Sequence, residues 1–438
     1  MPYRSAIANA PFVFVPQYFG ASVFDRSSSK YLPFDHETGE LLRRSAHTPF
    51  FQLVSEIKDR SKRQQARAFF SQFYDKGFFT TDGYFVGALL DAQPAADHLT
   101  GPLAVHLEVV AACNLTCSHC FAGVLPRKEK RLNLDEIERL FASMAAMGSF
   151  RLGLTGGEPL LRRDIFDIID LACDYGLHPC ITTNGLLITE EIARAFAKRK
   201  LVWLNVSLDG ATAESNDRVR GSGTFERVIE KLKILGQYAN FTIAFTIMRN
   251  NAEEVQACAE LAEQLGAVTA VFRPLYPVGT ATQHIADLMP SFEQYSTALA
   301  TLSANSDDAR IIDPFSPLLR AETQAITNTN FGCGAANSVC SISVSGEVNP
   351  CSFLGSAFVS GTIRERSLED IWHEGHTFQA MRNLPGGTAD TFSGGCRARS
   401  LVLNGSVNAP DPWMQTSDAH IHPQAITFYE PGTTLELR

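Results

Sequence analysis

The sequence predicts an α/β protein: six strand–helix units mid-chain, a strand-and-helix domain before them and a small cysteine-rich domain after them. Three observations carry this. From residue 103 to about 290, apolar strand patterns and amphipathic helix patterns alternate six times, which implies parallel strands joined by helical crossovers. The first strand pattern, Leu103 to Val110, runs directly into Cys113-Asn-Leu-Thr-Cys117-Ser-His-Cys120. Four further cysteines, Cys333, Cys340, Cys351 and Cys396, gather around a glycine-centred hairpin pattern.

Bulk properties narrow the class. A chain of 438 residues with 45% hydrophobic and 19% charged content can bury a full core in two or three domains. A net charge of −9 gives no electrostatic footprint for nucleic acid. No apolar run approaches membrane-spanning length, and Met1-Pro-Tyr-Arg-Ser-Ala6 does not open a secretion signal. Ten cysteines without such a signal point to metal or redox chemistry in the cytoplasm, not to disulfides. No nucleic-acid or membrane partner is expected.

Residues 1–98 come first. Gly20 to Phe34 reads as two short strands around a Ser-rich turn. Asp35 to Gly39 is either a second turn or a helix start capped by Asp35. Phe50–Ile57 and Gln65–Tyr74 have helical spacing, and Phe78–Phe85 reads as a closing hairpin. Hairpin, helices and hairpin make a winged-helix-like layout. It resembles the precursor-peptide recognition domain of enzymes that modify ribosomally made peptides, which adds a leader peptide to a sheet edge. A DNA-binding winged helix, with Arg43-Arg44 and the basic stretch Lys58–Arg67, or a plain packing module, are the alternatives. Residues 92–102 read as a linker.

In the core, 103–290, strands are expected at Leu103–Val110, Arg151–Thr155, Pro179–Thr183, Val202–Leu208, Phe241–Met248 and Val268–Phe272, with helices between. Six units are too few for the closed eight-unit barrel. Chemistry in such folds sits at the C-terminal strand ends. There stand Thr155-Gly-Gly-Glu-Pro159, Thr182-Thr-Asn-Gly185, Ser207-Leu-Asp-Gly210 and Arg273-Pro-Leu-Tyr276. Three thiolates on one loop can hold three irons of a cubane iron–sulfur cluster, which ordinarily takes four. Zinc, or three buried thiols, is the plainer reading. Cys173, Cys180 and Cys258 read as core residues.

CxxxCxxC with a ring residue, His119, before its last cysteine resembles the signature of radical S-adenosylmethionine (radical SAM) enzymes. Gly156-Gly157-Glu158-Pro159 resembles that family's GGEP motif. The resemblance implies a partial (β/α)6 barrel and a [4Fe-4S] cluster on Cys113, Cys117 and Cys120. The fourth iron of that cluster would bind S-adenosylmethionine. Glu158 would take the amino group and Arg220 the carboxylate. Thr183, Asn184, Ser207 and Asp209 would stand near the cofactor, and Ile247 near its adenine. An electron donor such as flavodoxin or ferredoxin is implied.

Residues 291–330 read as a helical connector. In 331–414, the hairpin around Gly346, Leu368–Trp372 and Gly394-Gly-Cys396-Arg-Ala-Arg399 resemble the SPASM and twitch extensions that hold auxiliary clusters. A full SPASM domain uses about seven cysteines; this region has four, and Met414 stands where relatives often carry a cysteine. One auxiliary [4Fe-4S] cluster is therefore expected, on Cys333, Cys351 and Cys396, with Cys340 a fourth ligand or a bystander. Zinc is the alternative there too. Residues 415–438 carry no readable signal. The whole reads as a radical SAM enzyme acting on a ribosomally synthesised precursor peptide, by crosslinking, epimerisation or backbone excision. The alternatives are a tetrapyrrole or other small molecule as substrate, and an iron–sulfur winged-helix redox regulator.

Overall fold

The structure is a computed structural model and describes residues 7–123, 130–305, 310–311, 326, 331–384, 395–415, 426 and 428–429. The N-terminal domain begins with an antiparallel meander, β1 (Phe12–Gln17), β2 (Gly20–Asp25) and β3 (Lys30–Asp35). Helices His36–Ser45, Phe50–Glu56 and Arg60–Tyr74 follow, and β4 (Ala88–Leu89) returns parallel to β1. Asp35 caps the first helix by accepting a hydrogen bond from the Thr38 amide, so Asp35–Gly39 is a helix start and not a turn.

Two expectations change here. The meander has three strands, because Phe12-Val-Phe-Val15 is itself a strand. Phe78–Phe85 forms one antiparallel bridge, Phe79 to Phe85, and not a full hairpin. The continuous apolar run of β1 has a physical reason: both faces of the sheet are covered. Phe12, Phe14, Val23 and Phe34 pack under the helices, while Val13, Val15, Phe24 and Tyr31 pack on the central domain against Met144 and Phe150. The buried Tyr31 hydroxyl donates to the Gly148 carbonyl (2.9 Å) and accepts from the Phe150 amide (2.7 Å), which satisfies it at the join.

The central sheet contains β5 (Ala104–Val110), β6 (Arg151–Gly156), β7 (His178–Thr183), β8 (Trp203–Ser207), β9 (Thr242–Ile247) and β10 (Thr269–Pro274), side by side in chain order and all parallel. These are the six expected strands. Strand alternation sorts their side chains. Val105, Leu107, Leu152, Leu154, Ile181, Leu204, Val206, Ile243, Phe245, Ile247 and Phe272 are buried on the helix-covered face. The opposite parity, His106, Glu108, Cys180, Thr182, Asn205, Ser207, Thr246 and Arg273, makes a polar inner face.

The connector is more than a link. After the helix Phe292–Asn305, β11 (Arg310–Ile311) pairs parallel with β10. At the other edge β12 (Val339–Ile342) pairs parallel with β5, Cys340 opposite Val105, and β13 (Val348–Asn349) pairs antiparallel with β12. The expected hairpin around Gly346 is thus part of the central sheet. Residues 92–102 form neither strand nor helix but are fastened: Thr100 donates its amide to the Gln17 side chain (3.0 Å), and Trp372 donates to the Leu99 carbonyl (2.8 Å). The Pro-rich punctuation expected within the connector, Asp313-Pro-Phe-Ser-Pro317, lies outside the described residues. Among the described residues no helix is long and apolar enough to cross a membrane.

Candidate active site

The end of β6 and two helical segments, at Val219 and Thr280, hold the cysteine loop. The Gly157 amide donates to the Val110 carbonyl (2.7 Å) and the Glu158 amide to the Ala112 carbonyl (2.9 Å). A Cβ on Gly156 would stand 2.3 Å from the Val110 oxygen, and one on Gly157 2.2 Å from the Ala112 oxygen. The two glycines therefore let the end of β6 press against the segment that launches the cysteine loop. Ser118 donates its amide to the Val219 carbonyl, and Thr280 donates its amide to the Cys120 carbonyl.

Glu158 is 1% exposed. It accepts from the Thr183 hydroxyl (2.7 Å), the Asn184 amide (2.7 Å) and the Leu160 amide (3.0 Å). Burial pushes its carboxyl up, and these donors pull it back. The Asn184 side chain then donates to Asn114 (2.7 Å) and, more weakly, to the Cys113 sulfur (3.9 Å). Glu158, Thr183 and Asn184 thus form one network that ends on the first cysteine.

A second network reaches Cys117 and Cys120. Asp209, fully buried after β8, accepts from Arg220 Nε (2.7 Å) and Nη2 (2.6 Å) and from the Thr246 amide (2.7 Å), and lies 2.9 Å from His119 Nε2. Burial alone would raise its carboxyl; Arg220 and His119 outweigh that and hold it well below the usual carboxylate range. Arg220 is no surface residue: it is buried against Asp209, close enough to Cys117 to offset part of the burial that raises that thiol to about 11. His119 Nδ1 is buried without a hydrogen-bond partner among the described residues.

The remaining expected residues divide by strand parity. Ser207 is half-buried on the inner face. Ile247 has the opposite parity and is fully buried on the helix side, so it presents no surface to a nucleobase. Cys258 is core, as expected. Cys173 is half-buried, with its thiol 3.7 Å from the Lys200 carbonyl. Cys180 is not core: it lies on the inner face, where its sulfur accepts from Asn205 (3.3 Å).

The inner face is a cavity wall that the motifs did not reveal. His106 carries open surface although protein surrounds it on every side. Burial, then Arg273 and Arg151, lower its pKa to about 4, so it is neutral at physiological pH. Its Nδ1 lies 3.2 Å from the Ser352 hydroxyl, beside Cys351. Arg273 Nε is buried with no hydrogen-bond partner among the described residues. The alternation of β5, β7 and β10 could have located all three positions.

The second group of cysteines splits. Burial, with Cys333 adding to it, raises the Cys351 thiol to about 12, and burial with Cys333 likewise raises Cys396. Cys340 is raised by burial, which the Arg382 charge partly offsets. Cys351 and Cys396 therefore each lie within electrostatic reach of Cys333, while Cys340 sits apart in β12. The Cys396 amide donates to Asp411 (2.7 Å), whose carboxylate takes two bonds from the fully buried Arg399 (2.8 and 2.5 Å). Trp413 lies under the Arg399 guanidinium at 4.1 Å. The Phe353 ring stacks on Tyr276 (4.2 Å) and meets Phe121 edge-on (5.5 Å), which joins the two cysteine regions. Among the described residues no three His, Cys, Asp or Glu side chains converge as a single metal ion would need. A cubane sets each thiolate on its own iron and does not require that convergence.

Residues 107–262 match the Radical SAM superfamily. Over 328 residues, 72% of this chain and 83% of the relative, the sequence is 30% identical to the mycofactocin maturase MftC of Mycobacterium tuberculosis. The chain belongs to the radical SAM superfamily. Its residues 333–397 match the SPASM iron–sulfur cluster-binding domain. It is also 30% identical to the AdoMet-dependent heme synthase of Methanosarcina barkeri, over 71% of this chain and 96% of that one. In fold it resembles Streptococcus suis SuiB bound to S-adenosylmethionine, with a TM-score of 0.68 at 15% identity, covering 92% of this chain and 99% of SuiB. As a radical SAM enzyme with a SPASM domain it uses a [4Fe-4S] cluster, S-adenosylmethionine and auxiliary iron–sulfur binding.

Proposed function

We propose that this radical SAM enzyme modifies a ribosomally made precursor peptide. The observation that carries the reading is the N-terminal sheet domain, built onto the barrel through Tyr31 and ending in the edge strand β3. Similarity to MftC, a maturase, supports it, as does a fold shared with SuiB, which has also been solved with its precursor peptide SuiA. In this reading residues 1–98 hold the peptide, 103–290 carry the radical chemistry and 331–414 the auxiliary cluster.

Cys113, Cys117 and Cys120 are assigned to the SAM cluster, and Cys333, Cys351 and Cys396 to one auxiliary [4Fe-4S] cluster. When bound, the first cluster and S-adenosylmethionine supply a 5′-deoxyadenosyl radical that removes hydrogen from a C–H bond. The protein's part is positional. Glu158, Thr183 and Asn184 fix the loop at Cys113. Asp209 orients His119 and Arg220 beside Cys117, with one guanidinium edge committed to Asp209 and the rest free for a carboxylate. The polar inner face receives the substrate, and Arg273, whose Nε has no partner among the described residues, offers it a cation.

The second reading, a tetrapyrrole substrate, rests on similarity to the heme synthase; Arg273 would suit a propionate equally. The regulator reading is disfavoured because the net charge is −9 and part of the local basic charge is paired: Arg43 with Glu40, Arg44 with Glu56 and Lys62 with Glu37. The test is anaerobic reconstitution with S-adenosylmethionine, a reductant such as reduced flavodoxin, and the product of a short open reading frame beside the gene. A mass change in that peptide, with 5′-deoxyadenosine formed, is expected. A change in an added iron-containing or iron-free porphyrin instead would shift the reading to the tetrapyrrole, and absence of 5′-deoxyadenosine would sink both.

A further inference from the structure

The cleft between β3 and the helix Arg60–Tyr74 is filled by a residue from the far end of the chain. Tyr429 is 7% exposed. Its ring stacks on Phe34 of β3 (centroids 5.5 Å apart, planes at 26°) and meets Phe73 of the helix edge-on (5.1 Å, 85°). The Lys76 ammonium lies 5.3 Å from the ring centroid, within cation–π range. Next to it, Phe428 lies 5.7 Å from Phe19. The Tyr429 hydroxyl has no hydrogen-bond partner among the described residues, so the ring itself holds the contact.

The cleft does not depend on its occupant for its walls. Phe34 and Phe73 touch each other directly (5.4 Å), and both touch Phe69 and Phe78. The open edge of β3 beside it is also used by the chain. The Ile326 amide donates to the Tyr31 carbonyl (3.0 Å), and Ile326 is buried. In an antiparallel strand the groups pointing off the edge alternate, so Tyr31, Pro33 and Asp35 face outward together. Pro33 has no N–H to give. An extended peptide arriving at β3 therefore meets one carbonyl already taken and one amide missing, and would need a side-chain anchor to add to its backbone bonds.

We propose that this cleft docks an aromatic side chain of a peptide, and that Tyr429 is its resident occupant, closing the cleft to other peptides until displaced. That the displacing partner is a precursor peptide rests on the reading above; the occupancy does not. Because the tail is tethered, it competes at high effective concentration without being tight-binding.

The test uses full-length protein with its clusters reconstituted and a fluorescein-labelled peptide copying residues 424–434. Fluorescence anisotropy compares wild type, Tyr429→Ala and Tyr429→Phe. Tyr429→Ala is expected to bind the copy at least about tenfold more tightly than wild type, because the tethered competitor is gone. Tyr429→Phe keeps the stacking and should bind it as weakly as wild type. A copy with alanine at the tyrosine position should not bind any of the three. Equal affinity for wild type and Tyr429→Ala, or no saturable binding to Tyr429→Ala, overturns the proposal. A thermal melt checks that Tyr429→Ala still unfolds cooperatively; if it does not, Tyr429→Thr, which also vacates the ring's space, takes its place. The probe is the chain's own sequence, so a failure of the precursor-peptide reading would leave this result standing.

Discussion

The two cysteine regions are built on opposite plans. Cys113 is exposed and Cys117 and Cys120 are half-buried, on a loop held by backbone bonds from neighbouring elements and by the Asn184 and Asp209 side chains. Cys333 and Cys396 are buried, and Cys396 is fixed through Asp411 and Arg399, both fully enclosed. The first plan leaves an approach for a cofactor that must arrive, react and leave. The second encloses Cys333 and Cys396, leaves Cys351 half-buried, raises the pKa of Cys351 and Cys396, and leaves metal binding to supply the drive for deprotonation. What a relay or structural cluster needs is shelter; what a reacting one needs is a door.

The comparison can be broken most severely at the open loop. Replacing Cys113, Cys117 and Cys120 together by alanine should abolish 5′-deoxyadenosine formation and remove about four irons per chain, with the circular dichroism spectrum unchanged. Loss of fold or retention of activity would mean the two regions are not separable. At the enclosed site, Cys396→Ala should cost about four irons while Cys340→Ser leaves the iron count alone; equal losses would make Cys340 a fourth ligand. Asp209→Asn strands Arg220 and His119 in a buried space and should lower stability by about 3 kcal/mol, read as a reduced urea midpoint, and weaken S-adenosylmethionine binding in the same variant.

Acid should act more gently and without regard to either cluster. His106, His178 and His373 all have their pKa lowered to about 4, by burial first. Their folded pKa lies below the unfolded value, so the unfolded chain takes up protons first. Their contribution is complete above about pH 6.5 and fades as the pH falls toward 4. A urea midpoint at pH 5 no lower than at pH 7.5 would contradict this. The smallest effect is expected at Ile247→Val: a loss of about 1 kcal/mol of stability and S-adenosylmethionine affinity within twofold, because that side chain faces the helices.

Much of this was legible in the chain. The six strands of the core lie within a residue or two of the expected ranges, since each is a local apolar pattern bounded by turn residues. CxxxCxxC and Gly156-Gly157-Glu158 announce the reactive end through their resemblance to the radical SAM motifs. What escaped depends on pairing across distance. Phe12-Val-Phe-Val15 has no polar alternation to mark it, because both its faces are covered. Arg220 reads as a free cation until Asp209, eleven positions earlier, is found beneath it. Ile247 faces the helices and Cys180 the inner face, a distinction that follows from strand parity counted from neighbouring residues and not from either residue type.

The pairing of β12 with β5 bears on how the chain is made. The strand that launches the cysteine loop emerges from the ribosome long before its partner at residues 339–342. Until then one flank of the growing sheet is bare, with main-chain donors and acceptors open to other chains. A protein cut before residue 331 would keep that bare flank permanently, and should be recovered mainly as aggregate. The cysteine-rich segment is therefore not a detachable module: β12 and β13 complete the same sheet that launches the cysteine loop, and removing them bares the β5 edge.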